Sequence, residues 1–190
     1  MNLFGNFNNP VGQGTPSAPG GSSSGGNRAV QVVFVNIPET LGAFTALPQA
    51  ALQNPFDTAA LFVVAMCIYP HNKDEAIQMV NYLKGPKPLS TYDLQFLADR
   101  MRGKEYLPGS FLIGANPNNN YVPTQPYTVV VSENPYSYQE EGYAKLFLQS
   151  GGADSPRPIQ LRLAKDGRWY LWEQFILSDI RQPEASNPWA

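Results

Sequence analysis

Residues 157–173, RPIQLRLAKDGRWYLWE, alternate apolar and polar side chains, break over Lys165, Asp166 and Gly167, and alternate again. Such a pattern demands a β-hairpin, and a hairpin needs further strands or a helix to cover its apolar side. Two loops are compatible with Asp-Gly. A two-residue loop pairs Leu163 with Tyr170 and Leu161 with Trp172, and leaves both faces mixed. A three-residue loop over Lys165, Asp166 and Gly167 pairs Leu163 with Trp169 and Leu161 with Leu171, with Ile159 on the same side, so that one face is wholly apolar. The opposite face then carries Gln160, Arg162, Ala164, Arg168, Tyr170 and Trp172. A slip of one residue turns every side chain to the wrong face, so the clean pattern selects the three-residue loop.

The rest of the chain supplies the cover. Residues 30–35, VQVVFV, read as a strand. Asn54-Pro55-Phe56-Asp57 places a cap, a first-turn proline and an acid ahead of the run FDTAALFVVAMCIY, which is apolar on every side and so reads as a central, buried helix. Asn72-Lys73-Asp74-Glu75 opens a second helix, with Ala76, Val80 and Leu83 on one face and Gly85-Pro86 as its stop. Ser90 and Asp93 open a third, with Leu94, Leu97 and Met101 as its inner stripe and Gly103 as its end. Beyond Gly103 the signals become strands, at 111–113, 127–132 and 143–149, followed by the two hairpin arms. This segregation of helices from strands predicts an α+β fold, three helices packed on an antiparallel sheet of about five strands, with Trp169 and Leu163 among the covered residues.

At 190 residues one core is expected, over 29–190. Residues 1–28 contain 19 Gly, Asn, Ser or Pro and a single charge, Arg28, and are expected to form a disordered tail or tether. Net charge is −2 with no long block of either sign, which argues against a nucleic-acid partner. The longest apolar run falls short of the roughly 20 residues a membrane span needs, and no export signal precedes it, so a cytoplasmic location is expected.

Few residues offer catalysis. His71 is the only histidine, sits between two helices and has no glycine-framed serine to serve. With Cys67 it is too little for a zinc site, and neither a phosphate loop nor a dinucleotide fingerprint is present. Glu140, Glu141, Asp154 and Glu173 lie near expected strand ends, where two carboxylates would suit glycoside chemistry if brought together, while solvated surface acids are the plainer reading. Asn116-Pro117-Asn118-Asn119-Asn120-Tyr121 lacks the acids of a calcium loop and reads as a polar turn. No cofactor or metal is expected.

The candidate binding patch is Asp154, Arg157, Arg162, Tyr170 and Trp172. Gly151-Gly152-Ala153-Asp154-Ser155-Pro156-Arg157-Pro158 is a stiff loop that would hold Arg157 beside the open hairpin face, suited to a carboxylate or an aromatic partner. The same loop, with DGRWYLWE after it, resembles an uncharacterised bacterial domain family whose members carry similar GGADSPRP and DGxWYLWE strings near their C-termini. The likeness covers residues 151–190 and implies a domain of unknown function of bacterial origin, with no site to carry over. The leading expectation is therefore a non-catalytic domain that binds a protein or peptide. The alternatives are a small-ligand binder or enzyme with a pocket between helices and sheet, and a structural component of a surface or secretion assembly.

Overall fold

The computed structural model describes residues 27–189, and the tail expected at 1–28 lies outside them except for its last two positions. Arg28 already belongs to a strand. β1 (Arg28–Phe34) pairs antiparallel along its length with β2 (Tyr127–Glu133), and the Arg28 guanidinium meets the Glu133 carboxylate at 3.4 Å while lying over the Phe56 ring. β3 (Tyr143–Leu148), β4 (Arg157–Leu163) and β5 (Trp169–Gln174) continue the sheet in the order β1-β2-β3-β4-β5, antiparallel throughout.

Four helices lie between β1 and β2, three of them the long ones legible from their caps, and the fold is α+β. The additional one is the short α1 (Leu41–Thr45). α2 (Pro55–Ile68) starts where Asn54 Oδ1 accepts a hydrogen bond from the Phe56 N–H at 3.0 Å. α3 (Lys73–Lys84) is capped by Asn72, and α4 (Thr91–Met101) by a reciprocal Ser90–Asp93 capping box. α2 touches all five strands and buries nearly every side chain. Beneath it, Val32, Phe34, Val129, Val131, Leu146, Ile159, Leu161 and Leu171 form the covered face of the sheet. Each such side chain contributes about 1.5–3 kcal/mol when fully buried, so α2 and this face account for most of the core. Among the described residues no helix is long and apolar enough to cross a membrane.

The hairpin adopts the register of the three-residue loop: Leu161 faces Leu171, Arg162 faces Tyr170 and Leu163 faces Trp169. Gly167 closes the loop at φ +80, donating its N–H to the Ala164 carbonyl. Three details differ from expectation. Residues 111–113 are not a strand; Phe111 ends a 3-10 turn and Leu112 makes a single bridge to Val129, because a proline and a glycine at 108 and 109 break the extended run. Leu163 is 41 % exposed and Trp169 half-buried, because the hairpin tip runs past the end of α2. Trp169 still packs against the core, edge-on to Tyr138 at 6.5 Å, and is also tied through its backbone, its N–H donating to the Leu52 carbonyl and its carbonyl accepting from Thr58 Oγ1. Finally, the ladder shifts between Gln160 and Leu161, leaving Trp172 as an extra residue on β5.

Candidate functional site

That extra residue is a β-bulge, and it decides what the outer face of the sheet presents. Leu171 points into the core and Gln174 lies opposite the buried Ile159, so the bulge places two consecutive residues, Trp172 and Glu173, on the outer side. It also turns the Trp172 carbonyl to the sheet edge, where Lys84 Nζ donates to it at 3.3 Å. Lys84 is the last residue of α3. The chain then turns at Gly85, φ +57, and a Cβ there would stand 2.4 Å from the Tyr170 ring. Glycine thus lets the α3–α4 connection close on Tyr170 and deliver Lys87 to the hairpin.

The result is a cleft of about 680 Å³ between that connection and the outer side of β4 and β5, lined among others by Lys84, Lys87, Arg162, Lys165, Tyr170 and Trp172. The Arg162 guanidinium lies 4.7 Å and the Lys87 ammonium 4.8 Å from the Trp172 ring centroid. Arg162 also lies over Tyr143, which meets Trp172 edge-on at 5.8 Å. The one carboxylate lining the cleft, Asp166, is engaged: its oxygens accept from the Arg168 N–H at 3.0 Å and the Tyr170 hydroxyl at 2.9 Å. These bonds, the Arg168 N–H first, hold the Asp166 carboxyl below its ordinary range. Burial, with donation to Asp166, pushes Tyr170 up, so Tyr170 is a neutral hydrogen-bond donor. Among the described residues none of Lys84, Lys87, Arg162 and Lys165 forms an ion pair.

Of the sequence-derived patch, then, the fold brings Arg162, Tyr170 and Trp172 together and places Asp154 and Arg157 elsewhere. Asp154 pairs with Arg181, and Arg157 donates to the Asp179 carbonyl at 3.0 Å. Both fasten the C-terminal segment, which Tyr121 also holds through a 2.5 Å bond to the Arg181 carbonyl and Lys104 through an ion pair to Asp179. The two glycines of this loop serve close approach: a Cβ would stand 1.9 Å from the Ala115 carbonyl oxygen at Gly151 and 2.0 Å from the Tyr121 hydroxyl at Gly152. Lys84, Lys87, Lys165 and Tyr143 were not legible as site residues. The two lysines flank a Gly-Pro stop some 75 residues upstream, and only the bulge and the turn at Gly85 join them to the hairpin.

The other candidates are accounted for locally. His71 is exposed in the turn between α2 and α3, and burial pushes the Cys67 thiol up to about 12. The polar groups of the 116–121 turn bond one another and the adjacent chain, as with Asn119 Nδ2 to the Gly114 and Val122 carbonyls. A further cavity of about 410 Å³ lies between α3, α4 and β5, but Lys84 is held at Trp172 and Asp93 at Ser90, which leaves mainly the apolar Leu89, Phe96, Leu97 and Phe175.

A five-stranded antiparallel sheet covered by helices on one side and carrying a cationic, aromatic cleft on the other defines the class: an α+β protein with an open outer sheet face. Residues 36–184 match the family model described as "Domain of unknown function (DUF6935)", and the chain belongs to that family. The match covers the helices as well as β2 to β5. No curated protein and no solved structure matches the chain.

Proposed function

We propose that the protein is a non-catalytic binding domain whose outer hairpin face takes a carboxylate-bearing segment of a protein partner. The observation that carries this reading is the convergence of four cations, Lys84, Lys87, Arg162 and Lys165, on one cleft whose single carboxylate is already engaged. Like charges gathered around an indole repel one another, and the ring offsets this by only about 0.5–1 kcal/mol per cation at an exposed site. An incoming carboxylate relieves the repulsion and finds in Arg162 a planar fork matched to its two oxygens. Trp172 and Tyr143 supply apolar surface for the chain that carries it.

Titrating the full chain with a hexaglutamate peptide while following indole emission tests the reading. The signal is expected to change saturably, to weaken as salt rises past about 0.1 M because the contacts are partly exposed, and to vanish in Trp172→Phe. The Lys87→Ala, Arg162→Ala double variant is expected to lose at least about tenfold in affinity. Unaltered emission, or equal affinity in the double variant, overturns it.

A further inference from the structure

A second constellation occupies another part of the outer face; it shares Tyr143 and the bulge with the first and adds a loop and a cavity of its own. The connection between β2 and β3 is pinned over the sheet: the Asn134 N–H donates to Ser137 Oγ at 2.9 Å, the Tyr136 N–H to Asn134 Oδ1 at 2.9 Å, and the Lys145 N–H to the Ser137 carbonyl at 2.8 Å. Ser137 is buried at 3 % exposure, so Tyr136, 67 % exposed, is presented from a fixed backbone. A cavity of about 350 Å³ opens beside it, and its lining includes Tyr143, Glu140, Lys145, Gln160 and Glu173. Glu173 reaches this cavity because the bulge sets it on the same side as Trp172. Among the described residues, none of the Glu140, Lys145, Gln160 and Glu173 side chains makes a hydrogen bond or an ion pair. That is the reverse of the 116–121 turn, where polar groups are consumed by the fold itself.

We propose that this cavity is a saccharide subsite, taking a neutral sugar ring against Tyr136 and its hydroxyls on Glu140, Gln160 and Glu173. A pyranose has an apolar C–H face that suits the negative face of an aromatic ring, and a rim of hydroxyls that each donate and accept. Carboxylates and an amide meet those hydroxyls in pairs, and the volume falls in the range of about 300–1,000 Å³ usual for small-ligand pockets. Lys145 offsets one of the two carboxylates, and no metal-binding group of acids, histidines or cysteines occurs among the described residues. Both Glu140 and Glu173 are exposed, and the role proposed for them is to accept from sugar hydroxyls.

The test is NMR titration of the full chain with cellotetraose, xylotetraose, mannotetraose and chitotetraose, each to about 10 mM, which captures Kd values of about 1 mM. At least one is expected to shift the amides of Tyr136, Tyr143, Gln160 and Glu173 saturably. Affinity should fall about tenfold in Tyr136→Ala and in Glu173→Ala, as loss of a stacking ring or a charged acceptor implies, and stay unchanged in Lys87→Ala, which belongs to the other cleft. Both substituted side chains are exposed, so the fold survives the change. Absence of saturable shifts with all four sugars, or undiminished affinity in either cavity variant, overturns the proposal.

Discussion

Gly85 and Gly142 separate two demands that sequence cannot distinguish. Both hold positive φ, +57 and +76, but only at Gly85 would a Cβ meet another side chain, the Tyr170 ring at 2.4 Å; nothing lies within 4 Å at Gly142. Alanine at 142 is expected to cost about 1 kcal/mol of backbone strain. Alanine at 85 should cost that plus about 1–3 kcal/mol of overpacking, and should displace Tyr170 from Asp166. Urea unfolding of the two variants checks the difference; equal losses would mean that Gly85 serves its turn alone. The same scale explains why Arg162 and Arg157, five positions apart on one strand, part company: Arg162 stands on the open face opposite Tyr143 and Tyr170, while Arg157 begins the strand beside the C-terminal segment.

Helix starts were the most legible elements, because a cap is a local contract between a side chain and the backbone two or three residues on. Asn54, Asn72 and Ser90 all accept the N–H bonds their positions imply, but the capping box expected at Asn72 stays open, because the Glu75 carboxylate accepts from the Leu41 N–H at 2.6 Å instead of turning back to Asn72. The Ser90–Asp93 box carries a pH consequence. Burial raises the Asp93 carboxyl, but the Ser90 hydroxyl and N–H, with Lys84 and Lys87 nearby, lower it further, to a net value below the ordinary 3.8. A depressed folded-state value means that the stabilisation is present above the unfolded value and is lost as pH falls through the folded one. Asp93→Asn should therefore lose less stability than the natural chain between about pH 5 and pH 3, measured by thermal unfolding. An identical acid limb would show that the box contributes nothing to it. The hairpin register was legible for a related reason, since period-two alternation leaves one acceptable pairing. The bulge was not. WYLWEQ reads as regular alternation, and the extra residue appears only when β4 sets the pairing beyond Leu161. Neither was the 3-10 character of Phe111, whose apolar neighbours suggest a strand while Pro108-Gly109 decides otherwise.

For the whole molecule, the sheet works as a partition. Its inner face is committed to α2 and the core, and the strings at 151–158 fasten the C-terminal segment through Arg181 and Asp179. The outer face is left open, and there the bulge gathers Trp172 toward four cations and Glu173 toward the cavity beside Tyr136. About half of the candidate patch was legible from the hairpin alone, namely Arg162, Tyr170 and Trp172; of the lysines that complete it, Lys165 stands in the hairpin loop, while Lys84 and Lys87 arrive from a helix end that no local pattern links to the hairpin. The proposed seat of the acidic partner is the cleft at Trp172. Amide chemical-shift mapping of the full chain with hexaglutamate tests it most directly. Shifts confined to 84–87, Tyr143, Arg162, Lys165 and 170–173 are the predicted result; saturable shifts centred anywhere else on the molecule, or none at all, would contradict it.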